Sequence, residues 1–409
     1  MAKTKNKRKK LKIKYRPVKL KGPKKYRIKN TKAKQKKYGA KYFAGFFLRV
    51  LYRTFLIIVT LLLLAVFGVY YTLNTVAHGP SETVRNALVL SAMQASATKW
   101  VPGLFLDAET VDKIVNSSME KTVEEVDVIT PDESGEAGPV YIPEDDNGEQ
   151  EIPDISDGIE FHLDSAGTFR AYVMIIHDPS KVFVGVSSND FKNAVRGQRI
   201  YDAAKKYGAI VAMNGGEFHD PGGEGLGGQP MGLTYSQGKC VWPAGSSKRT
   251  FIGIDNNNKL IVAESMTQDE ADALGIRDAV SFQTGNVLIE TKDGSTYCYY
   301  APDNNGKAQR TAIGQRADGK FIFIVTDGRS ASSLGADYDD IINMMLKYGA
   351  INAGMLDGGS SAMMYYANYI TKYNVDENEL DEYQKLGLVN KYKAFTRPRY
   401  LPTFFMVMP

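Results

Sequence analysis

One run of residues divides this 409-residue chain before any motif is considered. Thr54–Ala77, TFLIIVTLLLLAVFGVYYTLNTVA, carries no charged side chain over 24 residues. A helix crossing the hydrocarbon of a bilayer needs about 20. The run therefore predicts a single transmembrane helix, with Tyr70 and Tyr71 suited to a membrane–water interface. A cleaved signal peptide fits less well. The basic stretch in front is far too long, and no small-residue cleavage pattern follows.

Charge is distributed around this divider. Residues 1–53 hold 22 of the 51 Lys and Arg and no Asp or Glu; the remainder carries 29 basic against 46 acidic residues, a net charge of −17. The positive-inside tendency predicts a basic cytoplasmic tail (1–53), a span (54–77) and an extracellular remainder at the plasma membrane. A lysine-rich tail beside a span is read as attracted to anionic headgroups. No nucleic-acid partner is expected. The two cysteines, Cys240 and Cys298, admit one disulfide in that compartment, but sequence does not pair them.

Beyond the span, Ser81–Thr98 reads as a helix, a serine cap followed by apolar residues at helical spacing, and Asp107–Ser117 as another, together a helical stalk or brace at 78–123. Residues 124–158 are acidic and rich in Pro and Gly, which predicts a flexible linker. The globular domain is then 159–409. Phe169–Ile176 and Lys181–Ser187 read as strands, and Met231–Trp242 as a hairpin turning at Gln237-Gly238. Phe321–Val325 (FIFIV) reads as a strand buried on both faces. Asp337 is placed to cap a helix ending at Gly349, and Ala350–Leu356 is the next strand. A strand–helix–strand crossover joins parallel strands. Asp327 and Asp357, which follow those two strands, are thus expected at one edge. The fold class is α/β, a mixed sheet with flanking helices, preceded by a single transmembrane helix.

Three apolar runs end in Asn214-Gly215-Gly216, Asp327-Gly328 and Asp357-Gly358-Gly359-Ser360. Each alone is an ordinary turn signal. Gathered at one edge they predict a site, with the glycines leaving backbone N–H groups open to a ligand. The first continues into a glycine-rich loop with Glu217, His219 and Asp220. It resembles a binding lip more than a dinucleotide loop, because no helix follows. Gln309-Arg310-Thr311 supplies an arginine fork suited to phosphate, and Arg329 a second one. Arg397 and Arg399 read as surface or sheet-edge residues. Ser360 lacks the nucleophile-elbow context.

Taken in order, Arg310-Thr-Ala-Ile-Gly, IVTDGR and GAINAGMLDGGSS resemble the phosphodiester glycosidase family over roughly residues 165–409. The anchored layout looks like members from Gram-positive bacteria. The resemblance implies hydrolysis of a sugar–phosphate diester at the anomeric carbon of a phosphate-linked cell-surface glycan. It places the family's motifs on Asn214, Gly215, Gly216, Arg310, Thr311, Asp327, Gly328, Leu356, Asp357, Gly358 and Gly359. The chain departs from that pattern at Ser360, where many relatives have a third glycine, and at Glu217.

On this reading Asp357 and Asp327 are the leading catalytic pair and Glu217 a third carboxylate. Arg310 grips the phosphate, and glycine-loop amides and Ser360 donate to it. His219, Asp220, Thr311 and Arg329 line the substrate site. No cofactor is required, although Asp327 and Asp357 are alternatively ligands for a divalent cation such as calcium. Two other readings stay open: a non-catalytic module holding anionic cell-wall polymer, and cleavage of the phosphorus–oxygen bond.

Overall fold

The structure is a computed structural model. It describes residues 31–93, 98–128, 156–302, 304, 306–328, 333–392 and 397–409, with backbone alone for 31–44. Most of the acidic stretch 124–158, and Arg329, lie outside the described residues.

The chain forms two compact units, Met1–Tyr71 and Thr72–Pro409. The first is occupied by the helix Thr31–Ala77, which also supplies the opening residues of the second. Within it, Gly45–Ala77 is long and apolar enough to cross a membrane. The helix starts well before the uncharged run, because Lys, Gln and Ala are good helix formers that need no apolar face to continue a helix.

The second unit is an α/β body of three sheets. The largest has eight strands in the order Thr122–Val126, Ser295–Tyr300, Val287–Lys292, Ala350–Met355, Thr311–Arg316, Phe321–Thr326, Phe169–Ile176 and Ile159–Ala166. A five-stranded sheet contains the hairpin Thr234–Ser236/Lys239–Trp242, whose turn residues Gln237 and Gly238 both have positive φ. A four-stranded sheet orders Met364–Tyr366, Val211–Asn214, Thr403–Val407 and Val182–Val186.

The crossover has the direction expected of it, with one addition. Phe321–Thr326 and Ala350–Met355 run parallel, but Thr311–Arg316 lies between them, antiparallel to both (Thr311 opposite Val325, Ala312 opposite Met355). Every ladder between these named strands is antiparallel, so the parallel relation exists only between next-nearest strands. The helix Tyr338–Lys347 begins with a reciprocal capping box between Asp337 and Asp340 and buries Ile341, Ile342, Met344 and Met345. Phe321–Thr326 is buried at all six positions, as an unbroken apolar run requires.

Two elements depart from the sequence reading. Thr122–Val126, at the expected junction of stalk and linker, is a strand on the edge of the large sheet, with Glu124 opposite Cys298. The stalk helices Glu82–Met93 and Ala108–Ser117 are part of the compact body, burying Val89, Leu90, Val111 and Ile114 together. Cys240 and Cys298 are both free thiols, on strands of different sheets.

Candidate active site

The site forms where strands of the eight-stranded and four-stranded sheets end side by side. Asn214, fully buried at the end of Val211–Asn214, joins them. Its Nδ2 donates to the Asp357 carbonyl at 2.6 Å, and its Oδ1 accepts from Thr311 Oγ1 at 2.9 Å and from the Met363 N–H at 3.1 Å. The Asp357 N–H in turn donates to the Gly215 carbonyl at 3.3 Å. Asn214, Thr311 and Asp357 are thus locked together by a buried polar network in which each partner is satisfied.

The glycines have a different task from the one expected. Three of their amides are already spent: Gly215 and Gly216 donate to the Thr403 carbonyl and Oγ1, and Gly359 to the Gln309 carbonyl. Their missing side chains make room for protein rather than ligand. A Cβ on Gly215 would stand 2.4 Å from Thr403 Oγ1, and one on Gly216 2.3 Å from the Ser281 carbonyl. On Gly328 or Gly358 it would be 2.7 Å from the backbone of Gln309. Residues 327–328 and 357–359 therefore flank Gln309 from either side, and the Gln309 side chain donates to the Gly328 carbonyl at 3.0 Å.

Asp327 and Asp357 stand at the same edge but are separated by the intervening strand. Two strand spacings put them about 10 Å apart. Each has its own company. Asp327 accepts from the Tyr172 hydroxyl at 3.0 Å, and burial raises its pKa against the pull of Tyr172, Arg170 and Lys391. Asp357 is pushed up to about 6, chiefly by burial; the Ser361 hydroxyl and Arg399 oppose this, and the Glu217 carboxylate adds to it. The acid electrostatically coupled to Asp357 is therefore Glu217. Glu217 forms an ion pair with Arg249. Burial still raises its pKa, while Arg249, Gln283 and, more weakly, Lys99 hold it down.

Arg310 is a brace. The residue is 5% exposed, and its guanidinium donates to the Ala336 carbonyl at 3.1 Å and the Gly306 carbonyl at 2.7 Å and lies over the Tyr338 ring. Those contacts correct the phosphate grip expected of it: a fork closed on backbone carbonyls at the head of helix Tyr338–Lys347 is already satisfied. The cation beside the site is instead Arg399, which pairs with Asp220 at 3.1 Å, lies over Phe218 and acts on Asp357. Asp220 also accepts from the Gly225 N–H at 2.8 Å, so it fixes the glycine loop. His219 and Ser360 are exposed, and the Ser360 carbonyl accepts from Tyr392. Among the described residues no group of three or more His, Cys, Asp or Glu is placed to hold a metal ion.

Sequence reasoning missed Arg399, Arg249, Tyr172 and Lys99. Arg249 lies in an unpatterned Ser-Ser-Lys-Arg loop, and Lys99 in the supposed stalk. No local signal marks them, because they reach the site only through the packing of distant segments.

Residues 207–408 match the family model described as phosphodiester glycosidase. The SPbeta prophage-derived uncharacterized protein YomE of Bacillus subtilis is 29% identical over 187 residues, covering 45% of this chain and 27% of that protein. Bovine N-acetylglucosamine-1-phosphodiester alpha-N-acetylglucosaminidase is 25% identical over 218 residues, 50% of this chain and 40% of the enzyme. The chain thus spans less than half the length of these curated relatives. Among solved structures, the zebrafish catalytic domain of the latter enzyme, auto-inhibited by its pro-peptide, aligns with a TM-score of 0.46 at 18% identity, covering 70% of this chain and 88% of that one. Residues 207–408 of this chain thus carry the match to a phosphodiester glycosidase domain.

Proposed function

We propose that this chain is a membrane-anchored, extracellular hydrolase that cleaves a sugar-1-phosphodiester at the anomeric carbon, acting on a phosphate-linked glycan of the cell surface. The single observation carrying the reading is Asp357, a carboxyl raised to about 6 beside Glu217 and Arg399 within a family-matched domain. A phosphate monoester leaves readily because its second pKa is near 6, so strong proton donation to it is not needed. The demanding step is at the sugar carbon. Asp357, once ionised, serves there as base or nucleophile. Glu217, held by Arg249, shapes the field around the developing positive charge, and Arg399 steadies the phosphate as it departs. The apolar helix Gly45–Ala77 supports anchoring, and the basic stretch before it supports a cytoplasmic N-terminus.

The test is hydrolysis of a sugar-1-phosphodiester by the full chain in ¹⁸O-labelled water. Label is expected in the sugar. D357N is expected to lower kcat by about 10³-fold or more, the scale of losing a base or nucleophile. Label in the phosphate, or wild-type turnover by a folded D357N, would overturn the reading.

A further inference from the structure

The residues of the site are carried by segments of different sheets, and one buried side chain outside every motif reaches those segments. Asn286 is 1% exposed and lies where the chain passes from strand Ile276–Phe282 of the five-stranded sheet to strand Val287–Lys292 of the eight-stranded sheet. Its carbonyl accepts from the N–H of Met355, two residues before Asp357, at 3.0 Å. Its own N–H donates to Thr250 Oγ1 at 3.0 Å, and the neighbour of Thr250 is Arg249, the ion-pair partner of Glu217. Its Nδ2 donates to the Gln283 carbonyl at 2.6 Å and the Thr284 carbonyl at 3.2 Å, which fixes the loop that follows Ser281. The Ser281 carbonyl accepts from the Glu217 N–H at 2.9 Å. Glu217 is two residues from Gly215, whose carbonyl accepts from the Asp357 N–H at 3.3 Å, so the circuit closes on Asp357. The last polar atom of Asn286, Oδ1, accepts from the Tyr338 hydroxyl at 2.6 Å. Tyr338 opens helix Tyr338–Lys347, and two cations lie over its ring, Arg310 at 5.0 Å and Lys121 at 4.7 Å. The hydroxyl is thus aimed at Asn286 by a ring that is itself held.

We propose that Asn286 and Tyr338 are positioning residues for the hydrolysis: Tyr338 fixes the Asn286 amide, and Asn286 holds the segments bearing Asp357, Glu217 and Arg249 at their working spacing. This rests on the phosphodiester glycosidase reading of the site. An asparagine suits the task because its amide donates twice and accepts at the same time, while its backbone groups remain free to bond to two further segments. An apolar residue of the same size could fill the space but could not tie these segments to one another. Rate is sensitive to such spacing: a displacement of about 1 Å can cost about 10²-fold.

The experiment uses the full chain in nanodiscs and a small sugar-1-phosphodiester. Y338F keeps the ring beneath its two cations and removes only the hydroxyl. It is expected to lower kcat about 10-fold with KM within about twofold, since neither residue is placed on the substrate. It is also expected to move the acid limb of the kcat/KM profile to lower pH by about half a unit, because a loosened loop carries Glu217 away from Asp357 and admits water to that carboxyl. N286A is expected to change both quantities in the same direction and further, and Y338F keeps the test open if N286A fails to fold. A residue that only holds the fold would reduce the amount of active enzyme and leave the acid limb where it is, because the position of the limb does not depend on how much enzyme is folded. The proposal needs both changes in Y338F, and either one missing overturns it. Wild-type turnover by D357N overturns the glycosidase reading instead, whereas an inactive D357N beside a wild-type Y338F overturns the positioning alone.

Discussion

Burial sets the Asp357 proton, and the consequence has a definite sign. Its carboxyl is raised from an ordinary 3.8 to about 6. The ionised form is the working one in the mechanism above, so kcat/KM is expected to fall about tenfold per unit as pH drops below about 6. A flat profile between pH 7 and 4 would remove Asp357 from the chemistry. Stability runs the other way. The folded state holds this proton more tightly than the unfolded chain, so the favourable contribution is full at acid pH and is lost as pH rises from about 4 through 6. Relative to wild type, the Tm of D357N is therefore expected to rise across that window and to level off above it, as a pH series of thermal melts would show. Arg399 is argued at the same scale. R399A should raise KM for a diester by about tenfold through a lost charge-assisted contact, with R399K recovering part of it because lysine keeps the charge without the fork. A KM unchanged in R399A would leave the phosphate without the partner assigned to it.

At the scale of elements, the strand ends decide whether a site exists. Asn214 ties three of them together, its Oδ1 accepting from Thr311 and Met363 and its Nδ2 donating to the Asp357 carbonyl, all in the interior. N214A leaves the Thr311 hydroxyl, the Met363 amide and the Asp357 carbonyl without that partner, and is expected to cost about 3 kcal/mol in urea unfolding. G216A is expected to cost about 2 kcal/mol by forcing the Ser281 backbone aside. If G216A unfolds like wild type and instead loses only substrate affinity, its glycine serves the ligand after all. This is also where sequence was most and least readable. Phe321–Thr326 and Ala350–Met355 could be read because their burial makes nearly continuous apolar text. The shared edge of Asp327 and Asp357 followed from that. Strand Thr122–Val126 could not be read: its burial pattern is almost wholly exposed, and its partner lies far along the chain at Ser295–Tyr300. Arg310 was misread because an arginine in a motif looks the same whether its fork meets a phosphate or two carbonyls. The glycines were read as leaving backbone N–H groups open to a ligand, whereas a Cβ on Gly215, Gly216, Gly328 or Gly358 would meet neighbouring protein atoms. Close approach of another backbone and close approach of a ligand demand the same missing side chain.

At the scale of the whole molecule, the helices read as a stalk or brace pack together within the second compact unit. A chain starting at residue 78 keeps the buried cluster of Val89, Leu90, Val111 and Ile114 and the edge strand. One starting at residue 156 loses both and exposes Ser295–Tyr300 as a bare sheet edge. The shorter chain is expected to melt several degrees lower and to self-associate. Equal melting and monodisperse behaviour of the two would show the helices to be an appendage.

Thr122–Val126 and Ile159–Ala166 are the two outermost strands of one sheet. The chain therefore leaves the sheet after Val126 at one rim and re-enters it at Ile159 at the other. A protease that nicks the chain within residues 129–155 should therefore release nothing under native conditions: two fragments on a denaturing gel, one particle in solution. The amino-terminal fragment would still carry any bilayer attachment, and the larger fragment would stay zipped to it by backbone hydrogen bonds.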